Sequence, residues 1–259
     1  RGEASSLNNL GNAYGSLGQY QQAIEFQQQS LEIKREIGDL NGEAKSLNNL
    51  GNAYYSLGQY QRAIEFHQQS LEIKREIGDR RGEAGSLNNL GNAYGSLGQY
   101  QRAIEFYQQS LEMEREIGDR NGEASSLGNL GNAYYSLRQY QRAIEFHQQS
   151  LEITKEIGDL NGEANSLNNL GNAYASLGQY QRAIEFYQQS LEITKEIGDR
   201  YGEANSYFNM GNALARVDEK WKAQSAYESA QSLYEDLGLE HKAEKCEKAI
   251  GKLGQKNSR

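Results

Sequence analysis

Proline is absent from this sequence, and cysteine occurs once, at Cys246. Without proline, no turn or extended segment is imposed by a locked φ angle, so any punctuation must come from glycine, of which there are 28. A single cysteine excludes a disulfide framework within the chain and suits a reducing, cytoplasmic setting. Basic residues are the minority: 27 Lys and Arg stand against 35 Asp and Glu, a formal net charge of -8. That balance lacks the positive footprint that draws a protein to nucleic acid or to an anionic membrane surface. No apolar run approaches the ~18 residues of a membrane-spanning helix. Hydrophobic residues make up only 37%, and mean hydropathy is -0.87. A single compact globule of this length calls for more apolar residues, whereas a thin array with much surface per residue does not. Motifs for phosphate loops, zinc hydrolysis or a nucleophile elbow are missing, so neither catalysis nor a metal or other cofactor is expected. The chain opens in mid-pattern on "RGEASS", from which we expect a piece of a longer protein.

What the sequence has is repetition. Written in rows of forty, it aligns without gaps at 1–40, 41–80, 81–120, 121–160, 161–200 and a degenerate 201–240, followed by 241–259. Each row carries two helical patterns. Ala4, Leu7, Leu10, Gly11, Tyr14 and Leu17 recur at spacings of three and four, one apolar stripe. "LGQY" then breaks the chain, with Gly18 suited to a left-handed C-cap. The second pattern places Tyr20, Ala23, Ile24, Gln27 and Leu31 on one line and Phe26, Ser30, Ile33 and Ile37 on its neighbour. "IGD" closes it, and Asp39 can N-cap the helix of the next row. Two helices per row and one more near 241–254 predict thirteen helices and no strand. Ala243, Cys246, Ile250 and Leu253 form the apolar stripe of the last one, a cap whose lysines and glutamates meet water. One hairpin cannot bury its own face, but stacked hairpins share a continuous core.

Leu7-x2-Leu10-Gly11-x2-Tyr14 followed by Ala23-x3-Gln27 resembles the tetratricopeptide repeat, whose pattern is W-x2-L-G-x2-Y, then A-x3-F, then P. The proline is missing, and the period is forty where the family has about thirty-four. Forty-residue rows reading "GEA…NLGNAY…GD" look most like the Pins/LGN polarity adaptors. They are also similar to kinesin light chains and to arrays on cyanobacterial signalling ATPases and caspase-like proteases. The sixth row with its tail is closest in flavour to the cyanobacterial arrays. The resemblance implies an all-α, right-handed superhelical solenoid and a protein-binding role, as adaptor or scaffold.

The asparagines are the surplus. Asn12, Asn52, Asn92, Asn132, Asn172 and Asn212 form a complete column, and Asn8, Asn48, Asn88 and Asn168 a partial one interrupted by Gly128 and Phe208. On a helical wheel both columns lie opposite the apolar stripe, on the wall that first helices present to a concave groove. A carboxamide supplies a donor and an acceptor, the complement of a peptide unit, so a column of amides can hold an extended segment by its backbone. The resemblance implies this role for the Asn12 column. Recent duplication of a solvent-facing residue is the plain alternative. Asn9 and its equivalents are open to bonding across the hairpin. Two further wall positions vary: Ser5, Lys45, Gly85, Ser125, Asn165 and Asn205 at one, and Gly15, Tyr55, Gly95, Tyr135, Ala175 and Ala215 at the other. Lys45, Tyr55 and Tyr135 are the candidates there for touching ligand side chains. With so few cations in the first five rows, a neutral or mixed segment fits better than an acidic one.

His67 and His147 stand eighty residues apart at a packing position, too far to share a metal, and Arg138 replaces the turn glycine at a cost of ~1–2 kcal/mol if left-handed. Three functions are consistent with the pattern: a scaffold for an extended segment, a ligand-sensing arm of a larger signalling ATPase or protease, and a self-assembling element joined end to end through Leu7, Leu10 and Tyr14 of the uncovered first hairpin.

Overall fold

The computed structural model describes residues 2–255. Among them are thirteen helices and no strand: α1 (Gly2–Ser16), α2 (Tyr20–Glu36), α3 (Leu40–Ser56), α4 (Tyr60–Glu76), α5 (Arg80–Ser96), α6 (Tyr100–Ile117), α7 (Arg120–Ser136), α8 (Tyr140–Ile157), α9 (Leu160–Ser176), α10 (Tyr180–Glu196), α11 (Arg200–Arg216), α12 (Lys220–Asp236) and α13 (Glu240–Gln255). The forty-residue register predicts this number and order. The chain divides into two compact units, Arg1–Ala133 and Tyr134–Arg259. In the first, α1 packs on α2, α2 on α3, and so on to α6; in the second, successive helices from α8 to α13 do the same.

Capping follows the sequence. Asp39, Asp79, Asp119, Asp159 and Asp199 each accept a hydrogen bond from the backbone N–H three residues on, at 2.9–3.1 Å. Each fills one of the orphan donors that open a helix. The hairpin turns are left-handed, and Gly18, Gly58, Gly98 and Gly178 adopt φ near 73–76° without a Cβ penalty. Arg138 takes the same conformation at φ 59°, and Asp218 at 64°. Nothing in the structure explains why Arg138 stands where its sister rows have glycine.

The core of each unit is a seam between helix pairs. Leu47, Leu50, Leu87, Leu90, Ile64 and Ile104 are fully buried in the first unit, as are Leu167, Leu170 and Ile144 in the second. The helices approach closely because small residues line the seam: Ser30, Ser70, Ser110 and Ser190 on the second helices donate to the carbonyls of Ala4, Ala44, Ala84 and Ala164 at 2.8–2.9 Å. Tyr54 stacks on Phe66 at 5.2 Å, a contact four other rows repeat. Leu10 is 45% exposed where Leu50 is 0%, since no described helix precedes α1.

Helix α13 covers α12 with Ala243 and Cys246 buried and Ile250 and Leu253 half-buried. Burial pushes the Cys246 thiol up to about 11, consistent with an inert core residue. Lys242 departs from the expected water-facing position. It lies 4.3 Å above the Tyr201 ring and donates to the Tyr201 hydroxyl and to Asn205.

Within each hairpin the two helices approach closely between Gly11, Gly51, Gly91, Gly171 and Gly211 and the residue sixteen positions later. A Cβ on Gly91 would lie 2.4 Å from Tyr107, and one on Gly51 2.5 Å from His67. The glycines thus leave a socket that Gln27, His67, Tyr107, Tyr187 and Tyr227 fill. His67 and His147 are buried with Nδ1 unpartnered.

Burial, aided at His67 by the Lys74 charge, holds both imidazoles down at about 4. A depressed base contributes stability that is complete above the unfolded value near 6.5 and is lost as pH falls toward 4. Melting should therefore drop between pH 7 and pH 5, where carboxylates remain ionised. Replacing both histidines by Gln, the residue found at position 27, should flatten that slope, as thermal unfolding across the window would reveal.

Glu114 is a second buried titratable group. Its Oε1 accepts from Ser110 at 3.0 Å while Oε2 has no partner. Burial raises its carboxyl above the usual range, opposed by hydrogen bonds from Ser126 and Ser110 and reinforced by Asp119 and Glu123. A raised acid stabilises fully below its unfolded pKa, and that contribution disappears as pH climbs through the folded value. The equivalent residues in rows four and five are Thr154 and Thr194, whose hydroxyls bond local carbonyls at 3.1 Å. Glu114→Thr should raise the melting temperature at pH 8 by an amount matching roughly 1–3 kcal/mol. It should have little effect at pH 4; an unchanged melt at pH 8 would count against the argument.

Candidate functional site

The complete asparagine column lies one residue beyond each socket glycine, and the socket residue reaches it. The hydroxyls of Tyr107, Tyr187 and Tyr227 donate to Oδ1 of Asn92, Asn172 and Asn212 at 2.8–2.9 Å. In row one, Gln27 Nε2 does the same for Asn12 at 2.9 Å. Each of these amides therefore has its oxygen tied to the second helix, which leaves the Nδ2 donors for the other side. Asn12, Asn52, Asn132 and Asn212 are exposed, and Asn92 and Asn172 half-exposed. Asn52 lies in the row of His67, whose ring carries no hydroxyl, and among the described residues its amide has no hydrogen bond.

The tyrosine phenols of this column stay neutral. Burial, with Tyr55 close to Tyr107 and Tyr135 close to Tyr187, pushes both well above the usual phenol range. Each phenol is thus a permanent donor at any ordinary pH.

The partial column is differently engaged. Asn8, Asn48, Asn88 and Asn168 accept through Oδ1 from Asn49, Asn89, Asn129 and Asn209 of the following row, at 2.9–3.1 Å. Asn88 and Asn168 also donate to Ser126 and Ser206. These amides stitch one first helix to the next. Asn49, Asn89, Asn129 and Asn209, equivalent to Asn9, thus bond from row to row and not across their own hairpin.

Tyr55 and Tyr135 are half-buried, their hydroxyls sharing hydrogen bonds with Ser96 and Ser176 of the next row at 2.9 and 3.0 Å. Their rings tilt against Tyr60 and Tyr140 at 5.3 Å. An alternation appears here. Rows with Tyr at this position carry His in the socket, and the rows of Gly95, Ala175 and Ala215 carry Tyr, while the row of Gly15 carries Gln27. A Cβ on Gly95 would already lie 3.8 Å from the Tyr107 hydroxyl, so the large side chains take turns. Lys45 is exposed on the wall, beside a cavity of about 320 Å³.

Each unit has a cavity on the Asn12 column. In the first unit, Asn12, Gln27, Asn49 and Asn52 border about 350 Å³, with Gln27 Oε1 buried and unpartnered at its edge. In the second unit about 760 Å³ is enclosed by Asn172, Asn212, Tyr135, Phe208, Arg216 and a face of α13 carrying Lys245, Lys248 and Lys252. Lys245, Lys248 and Lys252 are exposed, as expected of a water-facing cap; that they also border this cavity is not evident from the sequence. Their spacing of three and then four, on a face apart from Cys246, is the signal that could have found them. Among the described residues no group of three or more His, Cys, Asp or Glu is arranged to hold a metal ion, and no helix is long and apolar enough to cross a membrane.

No curated protein sequence matches the chain. Solved structures do. A putative kinesin light chain from Podosopora anserina with nearly identical repeats is 26% identical, with 75% of this chain and 96% of that one covered and a TM-score of 0.64. The signal-transduction ATPase PH0952 of Pyrococcus horikoshii, which has a tetratricopeptide repeat sensor, is 20% identical, with 94% and 38% covered and a TM-score of 0.79. A Rap protein complexed with competence and sporulation factor is 16% identical, with 98% and 75% covered and a TM-score of 0.70. The sequence itself matches the tetratricopeptide repeat over residues 2–76, 82–156 and 162–236. Three matches covering most of the length, each spanning two hairpins that the fold reproduces, make the chain a member of the tetratricopeptide repeat family.

Proposed function

We propose that this chain is a non-catalytic interaction scaffold that holds an extended polypeptide segment against its first helices, with the Asn12 column as the grip. The observation that carries this reading is the bond from the socket tyrosine to the asparagine oxygen. It fixes a carboxamide on the exposed face before any ligand arrives, with its N–H groups available to peptide carbonyls. Pre-orientation lowers the entropic cost of binding. The Asn8 column, spent on bonds between rows, serves the grip by holding successive first helices at a fixed spacing, and its remaining N–H groups are secondary contacts. Lys45, Tyr55 and Tyr135 border the path of the segment, where Tyr55 and Tyr135 offer ring edges and Lys45 a charge. The Rap protein complex with competence and sporulation factor, similar in fold, supports a ligand-binding role for such a stack.

The in-chain bonds change how the grip must be tested. Asn92→Ala alone strands the buried Tyr107 hydroxyl, at a cost of about 1–3 kcal/mol. Pairing it with Tyr107→Phe, and Asn172→Ala with Tyr187→Phe, removes donor and acceptor together. A variant with both pairs and Asn52→Ala should melt close to the parent. Against extended peptides selected by the parent from a random library, it should lose about 3 kcal/mol, roughly a hundredfold in affinity. Parent-like affinity in a well-folded variant would remove the asparagines from the binding site.

A further inference from the structure

We propose that the cavity of the second unit receives an acidic stretch of the bound segment, so that the ligand is read for charge at this end of the chain; the inference rests on the scaffold reading above. The chain carries a net charge of -8, yet the cavity of about 760 Å³ is walled by cations. Arg216 contributes from α11, and Lys245, Lys248 and Lys252 from one face of α13. The acids of that helix, Glu240, Glu244 and Glu247, are not among the cavity-lining residues.

The cations are only lightly committed elsewhere. Arg216 lies 4.9 Å over the Tyr180 ring, which leaves its guanidinium edge for an anion. Lys248 meets Glu244 at 3.3 Å, and Asp218, the acid on the cavity wall, lies 3.7 Å from Lys220. Among the described residues, Lys245 and Lys252 form no ion pair. Favourable charge at the C-terminus of α13 accounts for Lys252 but not for Lys245, which lies in the first half of the helix.

The remaining lining selects the kind of anion. The same cavity is lined by Asn172 and Asn212, whose oxygens are held by Tyr187 and Tyr227. Phe208 and Leu253 add apolar surface. Backbone-complementary amides from the first helices, cations from α13 and apolar surface in one cavity suit a peptide with Asp or Glu side chains facing α13. Row six lends itself to this by exchanging the asparagine of the partial column for Phe208. That substitution removes the amide at this position and lines the cavity with an aromatic ring instead.

The test uses the full chain and two labelled, unstructured peptides of one sequence, differing only in Glu and Asp against Gln and Asn. The acidic peptide should bind about tenfold more tightly at low salt, with the difference shrinking as ionic strength rises. Lys245→Gln/Lys248→Gln/Lys252→Gln should erase the preference while leaving the affinity for the neutral peptide unchanged. The triple Lys→Arg variant should keep the preference, which separates lost charge from a loosened cap. Equal binding of the two peptides to the parent, or an undiminished preference in a folded triple Gln variant, overturns the inference. If both peptides bind equally and both weaken in the asparagine–tyrosine variant, the scaffold reading survives that result; if neither peptide binds, both readings fall.

Discussion

The fold and its candidate site both depend on one contact, a side chain from the second helix pressed into the space where a first-helix glycine has no Cβ. In row three a Cβ on Gly91 would lie 2.4 Å from the Tyr107 ring. Such an overlap would push the hairpin apart. Because the ring enters the socket, the helices come close enough for Ser110 to reach the carbonyl of Ala84, and the phenol arrives beside Asn92. Packing and the orientation of a surface amide are therefore the same event, and a change at the glycine would disturb both.

The socket is also where rows differ. Gln27, His67, Tyr107, His147, Tyr187 and Tyr227 occupy equivalent positions, and the polar tip of each decides what the neighbouring asparagine can do. A tyrosine fixes the amide at any ordinary pH. Gln27 bonds Asn12 and the carbonyl of Asn8 but leaves its own oxygen unpartnered. A histidine packs well yet leaves Nδ1 without a partner, and gives stability away in acid. The array is thus a nearly uniform frame whose grip on a ligand varies row by row.

Helix positions, turn sites and caps were legible because glycine spacing and apolar periodicity act locally. "LGQY" and "IGD" need only their own residues to end a helix, and Asp39 needs only the N–H of Gly42. The amides were legible as a column but not in their bonding. Asn92 finds its donor fifteen residues later, and Asn88 its donor forty-one residues later. Such distances become contacts only once the hairpins are closed and stacked. The lysines of α13 meet water as their positions imply, but a wheel tells only which residues share a face, not that Lys245, Lys248 and Lys252 line one cavity with Asn172 and Asn212. Arg138 shows the limit in the other direction: its left-handed conformation was expected from its sister glycines, yet the reason for the residue appears in neither sequence nor structure.

The alternation of Tyr55 with Gly95 and of Tyr135 with Ala175 has a consequence for how such a gene can change length. Tyr55 leans over the next row onto Ser96, where Gly95 leaves room, and Tyr107 fills the socket beneath. Within rows one to five, excision of eighty residues in register keeps large beside small. Rows five and six already stand small beside small, Ala175 followed by Ala215, so the chain accepts that neighbour. The arrangement it lacks is tyrosine beside tyrosine, which loss of row three alone would create by bringing Tyr55 onto the row of Tyr135. Near-identical coding repeats invite unequal recombination in steps of any whole row, but the side chains oppose the exchange that removes row three alone.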